Sequence, residues 1–168
     1  MSYNLKLSIC VPTYNRPEKL RTVLSQLIPQ MTSECELIIR DDSDNNKSAQ
    51  IIKTLTAKKK IKITLFRGRK MGVDLANLFL LERANGEYIW WLSDDDQISD
   101  ETVNKIISTI KENDDITFIW LNFLSSFSGK TAVTGKHDGF FRNNGEFFDV
   151  VGPSMGLLSC LVLQRQKG

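Results

Sequence analysis

The chain is predicted to fold as one α/β domain, a mainly parallel sheet with helices on both faces. Two observations predict it. Apolar runs of strand length alternate with stretches of helical period over residues 5–121, and the polar clusters 13–16, 41–46, 67–70 and 94–96 all follow strand-like runs. Crossover connections return each strand to the same end of a parallel sheet, so these clusters are expected to meet at its carboxyl edge, where such sheets bind ligands.

Residues 5–12 read as the first strand, with Leu7, Ile9 and Val11 on one face. Asn15 and Arg16 lead to Pro17, favoured at a helix start because the missing N–H has no intrahelical partner there. Leu20, Val23, Leu24, Leu27 and Met31 continue as a helical stripe. Residues 35–40 are the second strand, and residues 41–46, Asp-Asp-Ser-Asp-Asn-Asn, form a turn rich in side chains that bond their own backbone. Ile51, Ile52 and Leu55 mark a second helix, residues 61–66 a third strand, residues 68–72 a loop and residues 73–84 a third helix that Gly86 is placed to close. Residues 87–92 are the fourth strand. Val103, Ile106, Ile107 and Ile110 follow i, i+3, i+4, i+7 and predict a helix over about residues 100–112, with Ser99 as N-cap and Asp100 and Glu101 in the first turn. Residues 116–121 are the fifth strand, residues 125–145 loops or a short hairpin, residues 152–156 a turn and residues 157–163 a further strand.

The 168 residues suit a single domain spanning 1–168, and a hydrophobic content of 41% supports a packed core. A net charge of +2 with 25% charged residues gives no case for nucleic acid. The one basic run, Lys58, Lys59, Lys60 and Lys62, reads as a solvated helix end with at most a weak attraction to an anionic membrane surface. Three scattered cysteines do not make a disulfide framework; Cys10 and Cys160 sit inside apolar runs and Cys35 opens one, which points to buried thiols and a reducing cytoplasm. No apolar stretch approaches the roughly 18 residues that span a bilayer. Trp90, Trp91 and Trp120 read as core, and His137 as an exposed loop residue.

The string Leu92-Ser93-Asp94-Asp95-Asp96 carries the chemistry. Three adjacent carboxylates resist joint ionisation. A hard divalent cation relieves that repulsion because it takes carboxylate oxygens as ligands. Capping of the following helix does not require them, since Ser99, Asp100 and Glu101 stand closer to its start.

Together, Ser8-Ile9-Cys10-Val11-Pro12-Thr13-Tyr14-Asn15-Arg16, Asp41-Asp42-Ser43, and Gly86-Glu87-Tyr88-Ile89 running into Asp94-Asp95-Asp96 resemble a family 2 glycosyltransferase of GT-A fold. Gly72-Val73-Asp74 further resembles bacterial O-antigen sugar transferases. The resemblance implies a nucleotide-diphosphate sugar donor, Mg²⁺ or Mn²⁺, and a glycan or lipid-linked saccharide acceptor. It places Tyr14 on the nucleobase, with Pro12, Thr13 and Asn15 lining its pocket. Asp42 accepts a bond from the base beside Asp41; Arg67, Arg69 and Lys70 stand in a donor-site loop; Asp95 and Asp96 hold the metal; and Asp94 contacts the donor. It also implies action at the cytoplasmic membrane face, leaving peripheral membrane contact and a homodimer open.

Members of the family with this pattern generally invert the anomeric carbon, using an Asp or Glu as general base. That base is expected after the segment 152–163, where this chain has no acid; Asp138, Glu146 and Asp149 do not match its position. The expectation is therefore a GT-A domain lacking its C-terminal part, with a donor-binding remnant or a metal-dependent nucleotidyltransferase as alternatives. GxGxxG and GxxxxGK[ST] are both absent, which excludes the dinucleotide-binding and P-loop readings.

Overall fold

The computed structural model describes residues 5–57, 59–124, 129–131, 139–141, 143–152 and 157–165. The expectations for Lys58, His137, Asp138 and residues 153–156 lie outside them. Strands β1 (Leu7–Thr13), β2 (Cys35–Asp41), β3 (Lys62–Arg67), β4 (Tyr88–Trp91), β5 (Phe118–Trp120) and β6 (Leu161–Gln164) form one sheet in the order β3-β2-β1-β4-β6-β5. β1 pairs in parallel with β2 and β4, and β2 with β3. β6 runs antiparallel between β4 and β5. The helices are α1 (Pro17–Leu27), α2 (Lys47–Thr56), α3 (Val73–Arg83), α4 (Thr102–Glu112) and α5 (Asn144–Val151).

The alternation of side chains along each strand divides the core between two faces. Leu7, Ile9 and Val11 of β1, Leu37 and Ile39 of β2 and Trp90 of β4 pack against the apolar stripes of α1 and α4. Cys10, Ile38 and Ile89, one position out of step, meet Leu80 of α3 and Ala84. Phe147 and Val151 of α5 cover Phe118 and Trp120, the rings of Phe118 and Phe147 meeting edge-on at 4.9 Å. The apolar residues of α3 are not confined to its inner face: Ala76 and Leu80 are buried while Val73, Leu75 and Leu78 are exposed. All three cysteines are free and buried. Burial pushes the Cys160 thiol up to about 11, with the Asp96 charge adding to it. Among the described residues no helix is long and apolar enough to cross a membrane.

Three local expectations are corrected. Gly86 does not close α3, which ends at Arg83 with Ala84 already in extended backbone. Its role is close approach: a Cβ there would lie 2.5 Å from the Ser8 backbone nitrogen, and the Gly86 N–H donates to Ser8 Oγ at 2.8 Å. Ser99 does not cap α4. The helix begins at Thr102 after Glu101, which holds a left-handed φ of 64°, so Asp100 and Glu101 precede it. Gln30, beyond α1, supplies the acceptor instead, taking the Val103 N–H at 3.2 Å. Residues 157–163 are not one strand. A 3-10 turn over Leu158–Cys160 precedes β6, and it lets the Ser159 carbonyl accept the indole N–H of buried Trp90 at 2.8 Å.

The amino ends of the strands are tied by a buried acid. Glu36 accepts Ser8 Oγ–H at 2.7 Å and the Asn85 N–H at 2.6 Å, and pairs with Lys62 of β3. Burial opposes its ionisation, but the bonds from Lys62, Ser8 and Asn85 outweigh it and hold the carboxyl below its usual range.

Two outcomes are expected. Gly86→Ala forces backbone apart in a packed interior and lowers stability by about 2 kcal/mol in urea unfolding. A lowered folded pKa gives Glu36 a contribution that is present above its unfolded value, about 4.3, and disappears as pH falls through the folded one. Glu36→Gln therefore lowers the melting temperature at pH 7 and flattens its fall on acidification below about pH 4.3; an unchanged acid limb refutes this role.

Candidate functional site

The site is built where β1, β2 and β4 end side by side. Thr13, the last residue of β1, donates its hydroxyl to Asp94 Oδ2 at 2.6 Å. The Leu92 N–H continues the β1–β4 pairing to the Cys10 carbonyl at 2.9 Å before the chain leaves the sheet. Asn15 then adopts a left-handed φ of 54°, a conformation that asparagine tolerates better than most residues. That turn is fastened by the Asn15 N–H to Ser43 Oγ at 2.8 Å, and it leaves Tyr14 39% exposed. Lys70 Nζ sits over this ring, 4.4 Å from its centroid.

Asp42 is buried, with one oxygen held by Arg40 Nε at 2.6 Å and the other accepting the Met71 N–H at 2.8 Å. Arg40 also donates to the Arg69 carbonyl at 3.2 Å, so one guanidinium shapes the loop after β3. Gly68 leaves room for it, since a Cβ there would lie 2.4 Å from Arg40 Nη2. Asp41 is fully buried behind the turn. Its Oδ1 accepts the Ser43 N–H, while Oδ2 lacks a hydrogen bond and lies 3.6 Å from Arg67 Nε. Arg67 straps the turn from outside through the Ser43 and Asn45 carbonyls.

The three neighbouring acids have different surroundings. Burial raises the carboxyl of Asp94 above its ordinary range, against the bonds from Thr13 and Arg16. Asp95 is more than a third exposed, and its bonds from Ser93 and Lys19 lower it. Asp96 Oδ2 is buried without a partner.

These elements enclose an open cavity of about 350 Å³. Pro12, Thr13, Tyr14, Asp42 and Asp94 line it, so five of the residues singled out in the sequence come together there. Asn15, Asp41, Arg69, Asp95 and Asp96 do not line it: Asn15 and Asp41 fasten the turn beside it through Ser43, Arg69 and Asp95 are exposed, and Asp96 is half-buried. Arg16, Lys70, Gly72 and Ser93 line it as well. Arg16 carried a signal, since Arg16 and Lys19 stand three apart at a helix start ahead of an acidic cluster. Lys70, expected in the donor-site loop together with Arg67 and Arg69, is the one of the three that lines the cavity; a loop reading Arg-Gly-Arg-Lys does not say which cation turns inward.

The donor atoms suit a hard cation in kind, being carboxylate and hydroxyl oxygens with Asp95 reachable from solvent. Among the described residues no three His, Cys, Asp or Glu side chains converge to hold one alone. Such a site fits magnesium-type binding, in which one or two carboxylates share the ion with substrate phosphates and water.

Residues 8–152 match the family described as Glycosyl transferase family 2. The chain is 26% identical over 164 residues to the GalNAc(5)-diNAcBac-PP-undecaprenol beta-1,3-glucosyltransferase of Campylobacter jejuni, covering 89% of this chain and 52% of that protein. It is likewise 26% identical over 167 residues to the undecaprenyl-phosphate 4-deoxy-4-formamido-L-arabinose transferase of Photorhabdus laumondii, covering 94% and 48%. The chain thus spans about half the length of these curated relatives. Among solved structures, S. aureus TarS 1-349 in complex with UDP-GlcNAc superposes with a TM-score of 0.62 at 22% identity, covering 83% of this chain and 37% of that one. The mannosyltransferase PcManGT from Pyrobaculum calidifontis in complex with GDP-Man and Mn²⁺ gives 0.60 at 16% identity, covering 71% and 36%. The fold is GT-A, and the chain belongs to glycosyl transferase family 2.

Proposed function

We propose that the cavity at the carboxyl ends of β1, β2 and β4 binds a nucleotide-diphosphate sugar, and that the chain is the donor-binding part of a transferase acting on a glycan or lipid-linked saccharide. One observation carries the reading: Tyr14, Asp42 and Asp94, from three separate strand ends, line one cavity large enough for a nucleotide. The Tyr14 ring offers the nucleobase an apolar face once Lys70 moves aside, with Pro12 and Thr13 lining the same cavity. Asp42 keeps a free lone pair on each oxygen for a base N–H. Asn15 and Asp41 hold the turn that presents these groups, and Arg69 borders the loop on the donor side. Asp95, with Asp94 and Asp96 beside it, would hold Mg²⁺ or Mn²⁺. When bound, such an ion supplies Lewis-acid stabilisation of the diphosphate that leaves.

Asp94 is tied to Thr13 and so keeps the acidic loop against the cavity. Arg16 and Lys70, both at the lining, face the region where leaving-group charge collects. The family resemblance supports inversion at the anomeric carbon. The relatives named for undecaprenyl-linked substrates support a lipid-linked acceptor, with peripheral contact at the cytoplasmic membrane face. Nucleic acid has no part in this reading.

Calorimetry with UDP, GDP, CDP and dTDP, each with and without Mn²⁺, is expected to find one that binds with the metal. Asp95→Ala removes the metal dependence. Tyr14→Ala weakens nucleotide binding about tenfold, the scale of one lost base–aromatic stack. If no nucleotide binds and Asp95→Ala changes nothing, the reading fails. Transfer from a labelled donor to a lipid-linked saccharide then distinguishes a transferase from a domain that only binds donor.

A further inference from the structure

Arg16 immediately precedes α1 and Lys19 lies in its first turn. Three residues apart, they share one side of the helix. Arg16 Nη1 is 3.2 Å from both Asp94 Oδ1 and Asp95 Oδ2, and Lys19 Nζ is 3.0 Å from Asp95 Oδ2. The other two oxygens are also engaged: Asp94 Oδ2 accepts from Thr13 and Asp95 Oδ1 from Ser93. Every carboxylate oxygen of the pair has a donor, and two negative charges face two positive ones. Both cations keep about half of the side chain in water, at 51% and 55%, whereas Asp94 keeps 5%.

We infer that Arg16 and Lys19 are stand-in counter-ions that make binding of a divalent cation conditional on the nucleoside diphosphate. The inference rests on the donor-site reading above and adds an order of assembly to it. A bare divalent ion must displace two cations and settle beside them, so it meets repulsion in place of an open acidic site. A diphosphate arriving with the ion brings the compensating negative charge, and it offers Arg16, already at the cavity lining, a new partner. Exposed ion pairs are weak, so the exchange is easily made. Metal and nucleotide therefore bind with positive coupling, each tightening the other.

Mn²⁺ titration followed by the EPR signal of the free ion tests this without reading activity. Wild-type protein is expected to bind Mn²⁺ alone at least about tenfold more weakly than with the nucleoside diphosphate that calorimetry selects, the scale set by two unit charges a few ångströms from a divalent ion in a watery dielectric. Arg16→Gln with Lys19→Gln tightens Mn²⁺ binding in the absence of nucleotide by about the same factor and shrinks the nucleotide effect. Arg21→Gln, which breaks an exposed pair with Glu18 on the same helix, leaves it unchanged. Thermal melting verifies folding, and Lys19→Gln alone gives a smaller shift in the same direction should the double variant not fold. Unmoved Mn²⁺ affinity in the folded variants overturns the inference, as does wild-type protein that binds Mn²⁺ equally well with and without nucleotide. If no nucleotide binds wild-type protein under any condition, the donor reading itself falls and takes the inference with it.

Discussion

The hydrogen bond from Thr13 to Asp94 joins the carboxyl ends of the two central strands, and the rest of the site depends on it. Asp94 is buried, and a buried carboxylate without a partner is costly. The bond meets that cost and fixes where the chain after β4 leaves the sheet. It thereby brings Asp95 within reach of Arg16 and Lys19, which enter from α1 after the left-handed turn at Asn15. The acidic loop is thus positioned by the first strand and its following turn, elements some eighty residues away in sequence.

The two ends of the sheet are finished differently. At the amino end, both Glu36 oxygens are satisfied by Ser8, Asn85 and Lys62, and Gly86 presses its backbone against Ser8 with no room for a side chain. At the carboxyl end, Asp41 Oδ2 and Asp96 Oδ2 are buried without hydrogen bonds, Asp95 meets solvent-facing cations, and Lys70 rests on an exposed ring. One end is closed chemically and the other retains groups that can change partners.

Much of this was legible in the sequence because it depends on local spacing. Strand alternation places Leu7, Ile9 and Val11 on the α1 side, and the i, i+3, i+4, i+7 stripe of α4 appears as written. Parallel crossovers then oblige the polar clusters to meet, and Tyr14, Asp42 and Asp94 do. What could not be read depends on partners distant in the chain. Gln30 capping α4 made Ser99 unnecessary as a cap. Gly86 answers to Ser8, not to the helix before it. The antiparallel insertion of β6 between β4 and β5 follows from no pattern in its own residues, and the turn before it serves the indole of Trp90. Arg16 and Lys19 lay in view as a pair of cations, but only the folded chain shows which carboxylates they face.

The unlike finish of the two sheet ends bears on how inherited variants of such a chain would come to notice. A change near Ser8, Glu36 or Gly86 disturbs a filled interior, so its first mark in a cell is scarcity, as the poorly folded fraction is cleared. A change near Tyr14, Lys70 or Asp95 leaves the amount of protein intact and shows itself in the quality of each molecule. Measured copy number and per-molecule performance would therefore sort variants by the rim on which they fall.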